Sequence, residues 1–257
     1  MSKSELSFLD RFAQGRALRR WSQAARMARA LDLGTLRKLR SEARKLRHEL
    51  DRVLHEAEGR LALPMEGNDA ITAPPRSDWT WRPDLWRGPV FPQGFAAAES
   101  RTRMGHDITL FHDCKHSELT LRQIRNTREA DVAPYGLRMD VFRFDGSFLS
   151  LVLDLPDQGV RGLKLNHLVR LDMIVELERP LEIFCRLNVK HGPNTEQVVR
   201  ELPLGGGESF VEFDLAYTKL NEKRVEKAWV DLIFEGPQMN QIVLRDLTMS
   251  RHPRAEI

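Results

Sequence analysis

The sequence predicts a mainly β protein: an antiparallel β-sandwich or barrel preceded by an N-terminal helical hairpin or coiled coil. Three observations carry this. From Gly94 onward the chain is a series of short segments, five to ten residues each, in which apolar and polar residues alternate and turn residues intervene. Before them, Leu36, Leu39, Ala43, Leu46, Leu50, Val53 and Ala57 recur at spacings of three and four. Between the two lies LPMEGNDAITAPPRS, which has no period and is rich in Pro, Gly, Asn and Asp. The expected domains are therefore a helical head (1–62), a linker (63–78) and a β body (79–257).

A first helix is expected from about Ser4 to Leu31, with Leu9, Phe12, Trp21, Ala25, Ala28 and Leu31 at helical spacing. Asp32, Leu33 and Gly34 break it, and Thr35 is placed to cap the second helix. The 3–4 spacing of the second helix is a heptad a/d pattern. It suits either a hairpin folded on its own chain or self-association through Leu36–Ala57. Residues 1–60 hold 15 Lys and Arg against 8 Asp and Glu, whereas the remainder holds 25 against 29. That asymmetry makes the head basic. Acidic residues are absent between Arg16 and Arg29, so this stretch is a candidate contact for an anionic surface, with a plainly solvated face as the alternative.

Three of the five tryptophans, Trp79, Trp81 and Trp86, fall in the Pro-rich stretch after the linker. They read as an arm packing its rings over the sheet, or as a stacking platform for a flat ligand. The strands that follow are DITLFHDC, ELTLRQI, LRMDVFRFDG, SFLSLVLDL, VRGLKLNH, VRLDMIVEL, LEIFCRLNVK, EQVVRELPL, ESFVEFDLAY, KAWVDLIFEG and QIVLRDLTMS. Asp145-Gly146, Pro156 to Gly159, Gly192 to Asn194, Gly205 to Gly207 and Gly236-Pro237 supply the turns. One helical interruption is expected around Leu220–Lys227. The stretch Val169–Lys190 is read as a strand pair in one sheet. Its inward faces are Val169, Leu171, Met173, Val175 and Leu177, then Leu181, Ile183, Cys185, Leu187 and Val189.

Two cysteines, Cys114 and Cys185, in 257 residues argue against a disulfide scaffold and fit a reducing compartment. No apolar leader is seen near the N-terminus, and no segment approaches the roughly 20 apolar residues that a spanning helix needs. A cytoplasmic protein is the expectation.

The last hundred residues resemble a jelly-roll β-sandwich of the galactose-binding or carbohydrate-binding-module kind. VRLDMIVELERPLEIFCRLNV, FVEFDLAYT, WVDLIFEGP and the closing strand IVLRDLTMSR, broken by Asp246, carry the resemblance. The segment from Trp79 onward, including HDCKHSELTLRQIRNTREADVAPYGLRMDVFRFDGSFLSLVLDLP, also resembles a bacterial family without an assigned activity. The first resemblance implies sugar binding as a property of the fold alone.

Catalytic patterns are sparse. The eight histidines form no HExxH, and the sequence holds no G-x-S-x-G elbow or Walker loop. His112, Cys114 and His116 would share one face of a strand, but alternate side chains on a strand lie nearly 7 Å apart, too far for a zinc chelate. Cys114 is accordingly expected as a buried thiol between exposed histidines. Gly205 to Gly207 precedes a strand rather than a helix, so it lacks phosphate-loop geometry. No cofactor is expected beyond a structural calcium, for which Asp113 and Asp246 are the candidate ligands. The candidate binding platform is the wet side of the central strands: Arg170, Asp172, Phe184, Arg186, Asn188 and Lys190, with Trp229 and Asp231 if their strand lies alongside. Planar donors, carboxylate and amide acceptors and aromatic faces are what a sugar needs. The cations Arg170, Arg186 and Lys190 point to an acidic polysaccharide.

The expected function is therefore non-catalytic recognition of a glycan or polyhydroxylated ligand, made multivalent by helical self-association. The alternatives are an adaptor that binds a protein or an anionic membrane surface, and a polysaccharide-active enzyme using paired carboxylates.

Overall fold

The computed structural model describes residues 8–61, 71–205 and 208–254, with side chains from Phe12 onward in the first helix and from Ser209 onward in the last of these stretches. The chain divides into two units, Met1–Arg52 and Val53–Ile257. Ser4 to Ser7, the Leu9 side chain, residues 63–70 of the expected linker, and Gly206 and Gly207 lie outside the described residues.

The first unit holds α1 (Phe8–Met27), a single 3-10 turn (Ala28–Ala30) and α2 (Leu33–Leu61) as far as Arg52, the rest of α2 belonging to the second unit. The cap of α2 is Asp32 rather than the expected Thr35: its Oδ1 accepts the N–H groups of Gly34 and Thr35 at 2.9 and 3.0 Å. A carboxylate is the stronger acceptor at a helix start, and hydrogen bonding from Thr35 holds the Asp32 carboxyl below its usual range. Arg20 reaches Glu42, 22 positions on, at 2.9 Å, so α1 doubles back along α2. Among the described side chains of this unit none is buried.

The second unit is a two-sheet antiparallel sandwich. Its strands are β1 (Trp79–Trp81), β2 (Gly94–Phe95), β3 (Arg103–Met104), β4 (Ile108–His112), β5 (Leu119–Arg125), β6 (Tyr135–Val141) and β7 (Leu149–Asp154), then β8 (His167–Leu177), β9 (Ile183–His191), β10 (Asn194–Glu201), β11 (Glu208–Asp214), β12 (Val225–Phe234) and β13 (Asn240–Pro253). Two single-turn helices interrupt them, α3 (Asp84–Arg87) and α4 (Asp157–Val160). One sheet has the order β11-β8-β13-β6-β5-β2, with β1 also paired to β13; the other has the order β10-β9-β12-β7-β4-β3. The expected sandwich behind a helical segment is what forms.

The central stretch needs correction. β8 belongs to the seven-stranded sheet and β9 to the six-stranded one, so the link through Pro180 carries the chain across the core. Each strand has its own apolar stripe, and the stripes bury against each other only if they face across the sandwich. Arg179-Pro180 also lacks the positive-φ residues of a tight hairpin. That turn occurs one connection later, where Gly192 at φ 60° joins β9 to β10. Val169, Leu171 and Met173 on one side and Ile183, Cys185, Leu187 and Val189 on the other are all buried, as their alternation requires. Burial pushes the Cys185 thiol up to about 12.

Two further expectations fail locally. VRGLKLNH is not a strand: α4 ends at Val160, and Gly162 at φ 74° breaks the extended path. The helical interruption shrinks to a 3-10 turn, Glu222–Arg224, before β12. The tryptophan arm is part of the sandwich rather than a cover over it. Trp79 and Trp81 stack at 6.2 Å within β1, and Trp86 is wholly buried with its Nε1 donating to Leu244 O. β1 takes up the flank of β13 at Met249–Arg251, past the point at which β6 leaves it at Leu244. A bulge at Arg245 lies between the two pairings.

Candidate functional site

Opposite sides of the sandwich receive the expected binding residues. Phe184, Arg186, Asn188 and Lys190 on β9, with Trp229 and Asp231 on β12, share the outer face of the six-stranded sheet. The register sets Arg186 beside Asp231 and Asn188 beside Trp229; β7 then adds Asp154 next to Trp229, and β10 adds Gln197 next to Asn188. Arg170 and Asp172 are on β8, on the outer face of the other sheet, and do not join this platform.

On the six-stranded sheet the polar groups form one chain of contacts. Arg186 directs Nε and Nη2 at Asp231 Oδ2, both at 2.7 Å. Asn188 donates to the same oxygen at 2.9 Å and accepts from Gln197 Nε2 at 2.9 Å. Asn188 itself is buried, so it positions its neighbours rather than meeting a ligand. Trp229 is half-buried, with Lys227 Nζ 5.5 Å from its ring centroid and Lys227 bonded to Asp154 at 2.7 Å. Lys190 is bonded to Glu226 at 2.8 Å, and that bond holds the Glu226 carboxyl below its usual range. Three cations are thus matched by three carboxylates. The basic tilt that pointed to an acidic polysaccharide is cancelled once Asp154, Asp231 and Glu226 are in register. Phe184 and Arg186 remain half-exposed at the same level as Val152 and Ile233.

The opposite face carries a cleft of about 580 Å³ where residues 72–75 cross the sheet, lined by Arg170, Asp172, Phe210, Thr248, Arg82 and Asp246 among others. Arg170 lies over the Phe210 ring at 3.6 Å and is bonded to Asp172 at 2.7 Å. The Asp172 hydrogen bond raises the Arg170 pKa further. Phe210 was readable in SFVEFDL, where it falls on the polar phase of the alternation. Lys227, Asp154 and Gln197 were not, since their place beside Trp229 and Asn188 depends on strand register.

The two expected calcium ligands are not brought together. Asp113 follows β4 in the six-stranded sheet and is turned onto Ser147, whose N–H and Oγ bond its carboxylate at 2.7 and 2.6 Å. Asp246 is on β13 in the other sheet and meets Arg82 in a bidentate pair, both bonds at 2.9 Å. Its Oδ1 also accepts the Leu247 N–H. Among the described residues no three His, Cys, Asp or Glu side chains gather as metal ligands. The expected roles in FHDCKH are also exchanged. His112 is buried, with Nε2 on Ala98 O and Nδ1 on the Cys114 N–H, while Cys114 is only half-buried in the loop beyond β4.

The model of the Family of unknown function (DUF6478) matches residues 1–257. The chain belongs to that family. No curated protein matches the DUF6478 chain. Among solved structures it is similar to the enzymatically active domain of tailspike protein 4 from bacteriophage CBA120, with TM-score 0.41 and 6% identity over 57% of this chain and 19% of that one. A family 11 carbohydrate-binding module from Clostridium thermocellum, solved with a β-1,3-1,4-mixed-linked tetrasaccharide, is similar at TM-score 0.39 and 10% identity, covering 59% of this chain and 91% of that one. The CBM22-1 xylan-binding domain from Paenibacillus barcinonensis follows at 0.33 and 10%, covering 63% and 94%. All three are likenesses of fold. No helix among the described residues is long and apolar enough to cross a membrane.

Proposed function

We propose that the DUF6478 chain recognises a neutral glycan, without transforming it, on the outer face of its six-stranded sheet. One observation carries the reading. Trp229, half-exposed on the third strand from the edge, is bordered in register by the Asp154 carboxylate on one side, and on the other the half-exposed Arg186 guanidinium lies two residues along β9 from the buried Asn188. A sugar ring presents an apolar face for an indole and equatorial hydroxyls for planar donors and acceptors at its rim.

The surrounding groups are held ready. Arg186 keeps Nη1 free of Asp231 and retains 37% of its side-chain exposure, so it can donate to a hydroxyl without giving up its ion pair. Gln197, exposed on β10, is fixed by the bond from its Nε2 to Asn188. Such fixed groups reduce the ordering cost of binding. The pairing of Arg186, Lys190 and Lys227 with Asp231, Glu226 and Asp154 favours an uncharged ligand over an acidic one. Asp154, opposite Trp229 in register, and Asp231, two residues along its strand, are each held by a cation, which suits recognition better than acid–base work on a glycosidic bond.

The test is calorimetric titration of the full chain against neutral and acidic polysaccharides, repeated with Trp229→Ala. Saturable binding of a neutral polymer, little altered by salt and lost in Trp229→Ala, supports the reading. Binding confined to acidic polymers, or indifferent to Trp229, overturns it.

A further inference from the structure

We infer that α2 is the pairing surface between two copies of this chain, aligned parallel and in register through Leu36, Leu39, Ala43, Leu46 and Leu50. Helices of this length normally owe their stability to a buried apolar face. Here no described side chain of the first unit is buried, and Leu46 and Leu50 remain 40% and 53% exposed. Leu36, Leu39 and Ala43 are half-buried, so among the described residues the stripe is open over Leu46 and Leu50.

The charges on either side of it say what the cover is. With Leu36 at position a of a heptad, the a and d positions are Leu36, Leu39, Ala43, Leu46 and Leu50. Both e positions then hold arginine, Arg40 and Arg47, and both g positions hold glutamate, Glu42 and Glu49. In a parallel pair, g of one helix meets e of the next heptad on the other, so Glu42 faces Arg47 of the second copy, twice by symmetry. In an antiparallel pair, e meets e and g meets g, which sets arginine against arginine and glutamate against glutamate. Charge thus selects the parallel arrangement.

The same residues disfavour the other occupants. A helix lying in a bilayer surface carries cations along the edges of its apolar stripe, whereas one edge here is acidic. A nucleic acid would leave Leu46 and Leu50 uncovered. The excess cations Arg37, Lys38, Arg44 and Lys45 fall at b and c, away from the seam, where salt screens repulsion between copies. Glu42 now holds Arg20, but that pair is 68% and 55% exposed, so exchanging it for Arg47 of the second copy costs little.

Sedimentation equilibrium of the full chain tests this. The expected result is a concentration-dependent dimer whose dissociation constant rises at least about a hundredfold in Leu46→Asp/Leu50→Asp, as the loss of four half-exposed leucines per dimer requires. Near-UV circular dichroism of that variant checks that the sandwich is intact. Arg47→Glu alone should weaken the dimer, and Glu42→Arg/Arg47→Glu should restore it. A monomer at every concentration, or a dimer indifferent to the leucine changes, overturns the inference; a dimer strengthened by Arg47→Glu overturns the parallel alignment. A monomeric chain that floats with phosphatidylserine vesicles would replace the second copy by lipid. Glycan titration of the monomeric variant reads the sheet site separately, because Trp229 lies outside this helix.

Discussion

Removing the guanidinium of Arg82 should be among the most damaging single changes in the sandwich. Arg82 and Asp246 are 164 positions apart in sequence, and their side chains are 4% and 11% exposed. The bidentate pair ties the segment after β1 to the strand edge just past the Arg245 bulge. In Arg82→Met, Asp246 keeps only the Leu247 N–H and sits charged in a site built for a neutral pair. Breaking a buried pair from one side costs about 3–5 kcal/mol, a large part of a total stability of roughly 5–15 kcal/mol. Urea unfolding at pH 7 reads the loss directly. Arg82→Met/Asp246→Leu removes both charges and should recover much of the loss. A cost for Arg82→Met below about 1 kcal/mol, the value of an exposed pair, would refute the reasoning, as would an Arg82→Met/Asp246→Leu variant no more stable than Arg82→Met.

Asn188→Ala should destabilise the fold by about 1–3 kcal/mol, because it strips a buried donor from Asp231 and leaves Gln197 without its acceptor; thermal unfolding reads this. Gly159→Ala would place a Cβ 2.5 Å from the Trp79 ring, an overpacking cost of about 1–3 kcal/mol, visible as a lowered melting temperature. Asp107 has its carboxyl raised by burial and then by the neighbouring Asp84. Its charge therefore works against folding at neutral pH, and that penalty disappears as the group protonates. Asp107→Asn should accordingly stabilise the protein at pH 7, with the gain fading below about pH 4; denaturant midpoints at the two pH values check it.

Much of the sandwich was legible in the sequence because alternation is a local signal. Each residue of Val169–Leu177 and Ile183–Val189 announces its face by parity alone. Which sheet a strand joins is not local: β8 and β9 both carry an apolar stripe, and nothing in Arg179-Pro180 distinguishes a hairpin from a crossover except the missing turn residues. That ambiguity divided the expected platform, leaving Phe184, Arg186, Asn188 and Lys190 on one side and Arg170 and Asp172 on the other. The electrostatic sign of the site was also hidden. Arg186 and Lys190 look basic in sequence, while the carboxylates that neutralise them come from β12, next to them only in the folded register. The separate places of Asp113 and Asp246 were hidden for the same reason, since Asp246 finds its cation 164 residues away. The strands β1, β2 and β3 are two or three residues long, too short for alternation to register.

The central claim rests on an indole in the middle of a neutral sheet face. Titrating the full chain and its Trp229→Ala variant with one neutral polysaccharide that the wild type binds, beside Phe210→Ala as the control on the opposite face, tests it most directly. The expected result is at least about a tenfold loss of affinity in Trp229→Ala, equivalent to roughly 1.4 kcal/mol, and none in Phe210→Ala. Equal affinity in wild type and Trp229→Ala, or a loss in Phe210→Ala alone, would contradict the account.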